Sequence, residues 1–218
     1  MEAEKLPRDK SSRDMSVRYR LFRRFMIALG RLLFGFTVYG AEKVPARGPL
    51  IVASNHRHYA DLVLVCMAVP RRIQWMGKKE LFVFPFKRFF YFIGTFPVDR
   101  QKGGRAAIRA ALGLLKAGWA LGIFPEGTRR KGYDLEHTPK SGVGMLAALA
   151  GAPVLPVFVG RIPGLFERLR GSKLRVYVGD PITPDNTMSG GRVYREVSGE
   201  VLRSIYGLGG EKPRGVAS

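Results

Sequence analysis

The sequence is poor in cysteine and histidine, and it has no long uninterrupted hydrophobic run. Its one cysteine, Cys66, cannot form an internal disulfide, and the apolar run LVLVCMAV around it predicts a small buried side chain. The three histidines and this cysteine show no metal-ligand spacing, so neither a zinc site nor any other metal is expected. The best candidate for a membrane span, FMIALGRLLFGFTV, is short and contains Arg31, so no spanning helix is predicted.

Acidic residues are also scarce. The chain has 17 of them and 37 lysines and arginines, which gives a formal net charge of +20. This surplus predicts an anionic partner: nucleic acid, an anionic membrane surface or a phosphorylated substrate. The chain shows no zinc finger, no RNP-like aromatic strand and no clear helix-turn-helix, so nucleic acid is not the expected partner. A length of 218 residues suits one domain with a hydrophobic core.

Strand-like and helix-like segments alternate from about residue 40 onward. The predicted strands are PLIVAS, RIQWMG, TFPVD, WALGIF, PVLPVFVG and LRVYVG. The predicted helices are ADLVLVCMA, KKELFVFPFKRFFYFIG up to its proline, GGRAAIRAALGLLKAG, SGVGMLAALAG and the closing GRVYREVSGEVLRSIYG. Such alternation predicts an α/β fold, a single layered domain at residues 40–218 with a mixed sheet flanked by helices and a short polar tail.

Residues 1–39 are predicted to form a polar tail and then a basic amphipathic helix at residues 17–38. One apolar stripe at about 3.6 residues per turn contains Leu21, Phe22, Phe25, Leu29, Leu32, Leu33 and Phe36. Off this stripe lie Arg20, Arg23, Arg24 and Arg31, and also Ile27 and Phe34.

Two interpretations of this helix remain open, because it could pack on the core or lie in a membrane interface. The density of arginine favours the interface, where the apolar stripe would sink among acyl chains and the arginines would meet anionic headgroups. An anionic membrane surface is therefore an expected partner. The chain would be held at the cytoplasmic face of that membrane as a peripheral or monotopic protein.

The stretch NHRHYAD, from Asn55 to Asp61, follows the predicted buried strand PLIVAS. If His56 lies in a loop and Asp61 in the first turn of the next helix, the carboxylate can reach one imidazole nitrogen. Such a bond fixes the tautomer and stabilises an imidazolium, which leaves the other nitrogen free to take a proton from a substrate. Ser54 lies in no nucleophile-elbow pattern and Cys66 lies in an apolar run, so the attacking group is expected to come from the substrate.

The stretch PEGTRR, from Pro125 to Arg130, follows the predicted strand WALGIF. Gly127 permits close backbone approach, Thr128 offers a hydroxyl, and Arg129 offers a planar fork that suits phosphate. Glu126 could bind a substrate hydroxyl or hold Arg129. Ligand sites in α/β sheets gather beyond the carboxyl ends of the strands, so both polar stretches are candidates for one site.

The two stretches together, NHRHYAD and then FPEGTR, resemble the H-x4-D and F-P-E-G-T-R blocks of the glycerolipid acyltransferase family. KKELFVFPFKRFFYFIGTFPVDR, from Lys78 to Arg100, is similar to the second block of that family. APVLPVFVG, centred on Pro156, is similar to its fourth block. The resemblance covers roughly residues 40–185.

The resemblance implies transfer of a fatty acyl group from a thioester of coenzyme A or acyl carrier protein to the free hydroxyl of lysophosphatidic acid. His56 would be the general base and Asp61 its orienting partner, while Asn55 would hold the loop. The acceptor phosphate would be bound by Glu126, Gly127, Thr128 and Arg129, helped by Arg100 and Lys79. Because thioesters are already activated, no cofactor, metal or protein nucleophile is implied.

Two alternatives stay open from the sequence. The first is the same chemistry on another acceptor, such as glycerol 3-phosphate or another lysolipid. The second is a basic protein without catalytic activity that binds lipid or nucleic acid. The intact set of His56, Asp61 and Arg129 argues against the second.

Overall fold

The computed structural model describes residues 15–98, 104–129, 140–184 and 190–210. In these ranges the chain forms one seven-stranded sheet with helices on both faces. The strands are β1 (Thr37–Tyr39), β2 (Leu50–Ser54), β3 (Ile73–Lys78), β4 (Thr95–Val98), β5 (Ala120–Ile123), β6 (Val154–Val159) and β7 (Arg175–Val178). The helices are α1 (Val17–Phe34), α2 (Asp61–Ala68), α3 (Lys87–Phe92), α4 (Gly104–Lys116), α5 (Gly142–Ala150), α6 (Leu165–Leu169) and α7 (Gly191–Leu208).

The sheet is mixed, with the strand order β1-β7-β6-β2-β5-β3-β4. Every neighbouring pair is parallel except β6 and β7, which are antiparallel. The carboxyl ends of β2, β5 and β6 therefore lie along one edge at the centre of the sheet. This agrees with the predicted fold class and brings the loops that follow β2 and β5 next to each other.

The central strand β2 is buried along its whole length and divides the core into two layers. Leu50 and Val52 point to the side covered by α1 and α2, while Ile51 and Ala53 point to the side covered by α4, α5 and α7. Alternate side chains of a strand point to opposite faces, so a strand covered on both faces needs an uninterrupted apolar run. The run LIVA meets that need and explains why this strand could be predicted.

Helix α1 ends at Phe34, four residues before the predicted end at residue 38. Its C-cap, Gly35, has φ +60°, and the next two amides, of Gly35 and Phe36, bond the carbonyls of Arg31 and Gly30. This left-handed glycine cap ends the helix and turns the chain into β1. The sheet thus begins at Thr37, three residues before the predicted domain boundary at residue 40.

Helix α1 packs on the core through residues that fall outside the predicted stripe. Met26, Ile27 and Phe34 pack against the core cluster, and Tyr19 and Gly30 are buried. Most of the stripe points outward, with Phe25 exposed at 63% and Leu32 at 75%. Periodicity correctly identified an amphipathic helix but could not tell which of its sides meets the core, because Met26, Ile27 and Phe34 add a second apolar surface outside the stripe.

Arg23 was predicted to meet lipid headgroups, but in the structure it bonds backbone carbonyls of α2 instead. Arg23 donates from Nε to the carbonyl of Cys66 at 3.1 Å and from Nη2 to that of Met67 at 2.6 Å. These carbonyls belong to the last turn of α2, where cations are favoured by the helix dipole. Arg23 therefore fastens α1 to α2.

Two short elements, β1 and α6, were not predicted from the sequence, because three to five residues are too few to show a period.

Candidate active site

The loop between β2 and α2 holds the predicted catalytic pair. His56 lies two residues after β2, and Asp61 is the first residue of α2. The His56 Nδ1 atom lies 3.3 Å from Asp61 Oδ2, with the histidine side chain 20% exposed and the aspartate 2%. The carboxylate is thus buried beneath an imidazole that reaches solvent. The structure brings the two predicted residues together in the way the spacing required.

The same carboxylate oxygen also organises the loop. Asp61 Oδ2 accepts the backbone N–H of Arg57 at 2.5 Å and that of His58 at 2.7 Å. A carboxylate in the first turn of a helix is favoured by the dipole and by such backbone donors. With Nδ1 turned toward this carboxylate as the donor, the Nε2 atom of His56 is the nitrogen left for a substrate.

Asn55 anchors the start of the loop to the neighbouring strand β6. Its Nδ2 donates to the carbonyl of Val159 at 2.9 Å, and its Oδ1 accepts the N–H of Val159 at 2.7 Å. Asn55 is fully buried, so both bonds are made away from water. The amide group thereby continues the pairing of β2 and β6 beyond the point where β2 ends, as the expectation that Asn55 holds the loop requires.

An aromatic stack supports the imidazole. The ring of His56 lies on that of Phe124 with centroids 4.0 Å apart and planes 13° apart. Phe124 in turn lies on Trp75 at 4.9 Å, and Trp75 Nε1 donates to Cys66 Sγ at 3.3 Å. Aromatic stacking restricts the orientation of a ring at little entropic cost, so His56 is fixed by the stack on one side and by Asp61 at its edge.

Glu126, predicted to bind the acceptor, is 2% exposed beneath the second loop. Its Oε1 accepts the hydroxyl of Tyr206, in α7, at 2.6 Å. Burial raises the pKa of this carboxyl above its ordinary value. The bonds from Tyr206 and from the backbone N–H of His56, together with the nearby charges of His56 and Arg57, act in the opposite direction. Glu126 therefore links the two loops to each other and to α7.

Gly127 forms the turn that exposes the rest of the second loop. It has φ +68° and its N–H bonds the carbonyl of Phe124 at 3.0 Å. A Cβ atom there would lie 2.8 Å from Cε of Lys140, so the lysine side chain lies directly against the glycine. Any other residue would meet both a strained backbone and this side chain.

Thr128 and Arg129 are both exposed at the tip of this turn. The guanidinium of Arg129 lies 3.7 Å from the ring centre of Tyr59, a residue of the first loop. A cation stacked on an aromatic face keeps its orientation while remaining accessible. The predicted phosphate-binding arginine thus lies beside the loop that carries His56.

Lys79 and Arg100 are the two remaining predicted ligands, and only Lys79 is among the described residues. Lys79 is exposed in the single 3-10 turn after β3, and it lines a cavity with Phe82, Lys87 and Tyr91. Arg100 lies outside the described residues.

The sequence reasoning did not single out Tyr59, Phe124, Lys140 or Tyr206. The first two lie within the quoted motif segments, so the proximity of the two loops could have identified them. Lys140 follows the motif by eleven residues, and Tyr206 is 80 residues from Glu126, with no local pattern that connects them.

In the ranges that the structure covers, no three His, Cys, Asp or Glu side chains cluster in a way that could hold a metal ion. The absence of a cofactor remains a prediction. No helix within those same ranges is both long and apolar enough to cross a membrane.

The fold and the two loops define a class of protein. Residues 35–160 match the family model described as Acyltransferase, and the chain belongs to this acyltransferase family. The predicted resemblance to glycerolipid acyltransferases is confirmed, and with it the prediction of an enzyme that transfers acyl groups.

Individual relatives indicate which acyltransferases the chain is similar to. The chain is 34% identical over 152 residues to the 1-acyl-sn-glycerol-3-phosphate acyltransferase of Bacillus subtilis, a match that covers 68% of this chain and 74% of that protein. It is 31% identical over 126 residues to 1-acyl-sn-glycerol-3-phosphate acyltransferase beta of Homo sapiens, covering 56% of this chain and 45% of that protein. The crystal structure of the 1-acyl-sn-glycerophosphate (LPA) acyltransferase PlsC from Thermotoga maritima shares the fold, with a TM-score of 0.60, 23% identity and 92% and 86% of the two chains covered.

Proposed function

We propose that this enzyme transfers a fatty acyl group from an acyl thioester to the free hydroxyl of lysophosphatidic acid, which yields phosphatidic acid. The observation that carries the proposal is the His56–Asp61 pair, 3.3 Å apart at the edge of the sheet, beside the stacked Arg129. The names of the relatives support the choice of acceptor. The donor is a thioester of coenzyme A or acyl carrier protein.

The chemistry starts with proton transfer from the acceptor hydroxyl to Nε2 of His56. The acceptor oxygen attacks the thioester carbonyl carbon, and the C–S bond of the resulting tetrahedral intermediate breaks to release the thiol. The imidazolium returns the proton to the departing sulfur. The buried carboxylate of Asp61 stabilises the imidazolium between these steps and keeps Nδ1 protonated.

The acceptor phosphate binds at the second loop. Arg129 offers a planar pair of N–H donors, and Tyr59 holds its guanidinium in place. Lys140, whose side chain packs on Gly127, supplies a second positive charge beside this turn. Thr128 offers its hydroxyl, and Lys79 and Arg100 are further candidates for the phosphate or for the donor.

Glu126 acts as a positioning residue in this proposal, which refines its predicted role as a direct ligand. Its carboxylate is buried and bonds the hydroxyl of Tyr206, so it fixes the second loop to α7 and to the backbone of His56. The tip of the loop, from Gly127 to Arg129, is then left to contact the substrate.

A membrane surface is proposed as the place of action, on its cytoplasmic face, with peripheral or monotopic attachment. The outward side of α1 supports this attachment. There Leu21, Phe25 and Leu32 are exposed at 58%, 63% and 75%, beside exposed arginines. Exposed apolar side chains with flanking cations suit an anionic interface.

Release of free thiol from acyl-CoA against a panel of acceptors tests the reaction. We expect lysophosphatidic acid to support release, lysophosphatidylcholine to support far less, and His56→Ala to abolish it. A preference for glycerol 3-phosphate would change the acceptor. Equal activity with the phosphocholine lysolipid would contradict the role of Arg129. Repeating the assay with acyl carrier protein as the thioester identifies the donor.

The membrane attachment has a separate test, co-sedimentation with anionic liposomes. Leu32→Glu should weaken binding, while Leu149→Glu, the same change at a leucine of α5 that is 52% exposed, should not. Equal binding by both variants would reject the contact of α1 with the bilayer.

A further inference from the structure

A cavity of about 550 Å³ lies at the β1–β7 side of the sheet, away from the candidate active site. It is lined by α1, the end of α2, the start of β1, α6 and the loop that leads into β7. Four cations line it: Arg23, Arg31, Arg168 and Lys173. No Asp or Glu of the described ranges is among its lining residues. Its volume is in the range of about 300–1,000 Å³ that is typical of small-molecule sites.

Capping of helix ends does not account for these cations. Near the end of α1, the carbonyls of Gly30, Arg31 and Phe34 already accept the N–H groups of Phe36, Gly35 and Leu174. At the end of α2, Arg23 alone bonds the carbonyls of Cys66 and Met67. Arg31, Arg168 and Lys173 are therefore not needed for these helix ends.

Arg168 shows the strongest sign of a missing partner. Its Nε atom is buried and has no hydrogen-bond acceptor within the described part of the chain. The adjacent acid, Glu167, is taken by Arg161 and by the N–H of Gly164. A buried donor that is left unpaired costs free energy, and an anion that entered the cavity would remove that cost.

Two of the cationic side chains, those of Arg168 and Lys173, pack against one point of the cavity wall, Gly35. A Cβ atom at Gly35 would lie 3.3 Å from Cζ of Arg168 and 3.1 Å from Cγ of Lys173. Arg23 lies on the same side of α1 as Arg31, since the two are eight residues apart. Burial lowers the pKa of Arg23, which shows that its charge is held in a poorly solvated place.

We propose that this cavity binds a phosphate group, and specifically the phosphate headgroup of an anionic phospholipid. Arg31, Arg168 and Lys173 supply the donors that a phosphate needs, and Arg23 adds positive charge. Helix α6, which carries Arg168, exposes Leu165 at 73%, Phe166 at 79% and Leu169 at 76%, which gives the acyl chains of a lipid an apolar surface beside the cavity. Free phosphate shares the headgroup chemistry but would gain nothing from that surface.

This site is distinct from the proposed acceptor site. His56 and Arg129 follow β2 and β5, whereas the cavity adjoins β1 and β7, and β6 lies between the two groups of strands. The inference does not depend on the acceptor assignment, because none of the four cations belongs to either catalytic loop.

Isothermal titration calorimetry of the full chain tests the proposal with three probes: dihexanoyl phosphatidic acid, inorganic phosphate and dihexanoyl phosphatidylcholine. All proteins carry Arg129→Ala to weaken the acceptor site. The test variant is Arg168→Gln with Lys173→Gln. The matched control is Arg109→Gln with Lys116→Gln, which removes the same two charges from exposed positions of α4 on the other face of the sheet.

We expect the test variant to lose affinity for dihexanoyl phosphatidic acid by at least about tenfold, because charge-assisted hydrogen bonds are lost. The control should keep its affinity, and the phosphocholine lipid should not bind. Tighter binding of the lipid than of inorganic phosphate supports a headgroup, and equal binding identifies free phosphate as the ligand and overturns the lipid assignment.

Equal losses in the test and control variants, or no loss in either, would overturn the site itself. Should Arg168→Gln fail to fold, Arg31→Gln with Lys173→Gln replaces it, since both side chains are exposed. That pair should show the same selective loss of affinity, and unchanged affinity would reject the cavity as a phosphate site.

Discussion

The two polar loops at the centre of the sheet are built in opposite ways. The loop of residues 55–61 is held at both ends by buried side chains, Asn55 on β6 and Asp61 on its own backbone. The loop of residues 125–129 is buried at Glu126 but leaves Thr128 and Arg129 exposed. A general base must be held within a fraction of an ångström of its working position. A phosphate-binding arginine can take up its final position when the ligand binds. The protein fixes the first and leaves the second solvated.

Removing His56, the proposed general base, tests the first half of this contrast and should give the largest effect. His56→Ala is expected to lower kcat by roughly 10²–10⁴ because proton transfer from the acceptor is lost. Steady-state thiol release measures it, and circular dichroism checks the fold. His58→Ala, at an exposed position two residues away, is the control and should retain activity. Normal turnover by a folded His56→Ala protein would contradict the proposed mechanism.

Releasing the anchor of the same loop should affect stability. Asn55→Ala leaves both backbone groups of Val159 unpaired in the interior, which is expected to cost about 2–4 kcal/mol in the free energy of unfolding. Urea denaturation measures this loss as a lower midpoint. Ser54→Ala, a truncation of the preceding buried residue, should cost less, since Ser54 Oγ bonds only Asn55 among the described residues. A smaller loss for Asn55→Ala than for Ser54→Ala would show that the loop is not anchored there.

Altering the solvated arginine should change binding more than turnover. Arg129→Ala is expected to raise KM for the phosphorylated acceptor by about ten- to a hundredfold, because a charge-assisted bond to phosphate is lost. Arg129→Lys should recover part of this loss, since lysine keeps the charge but not the fork. KM for the acyl donor serves as the internal control. An equal rise in both constants would assign Arg129 to structure or to the donor.

The smallest expected effect concerns Glu126, the buried acidic group of the second loop. Burial raises the pKa of its carboxyl, so ionisation costs more in the folded chain than in the unfolded chain. Its contribution to stability is thus fully present below the unfolded pKa and is lost as pH rises through the folded pKa. Relative to Glu126→Gln, the wild type should become less stable from about pH 4.5 upward. Thermal denaturation of both proteins over a pH series measures this, and a constant difference would contradict it.

The sequence was sufficient for features that depend on neighbouring residues. The run LIVA predicted a strand buried on both faces, and the five-residue spacing of His56 and Asp61 predicted their contact. Features that depend on distant residues were not accessible. Tyr206 reaches Glu126 across 80 positions, and the inward side of α1 is the one that packs on a core built from distant strands and α2, which no local period records.

The triple use of Asp61 Oδ2 has a consequence for how this site can change over generations or by design. One atom sets the tautomer of His56 and also closes the turn at Arg57 and His58. The reactivity of the base and the shape of the loop are therefore inherited together, and neither can be adjusted by a single substitution at this position. A designer who wishes to retune the base must first provide the two amides with another acceptor.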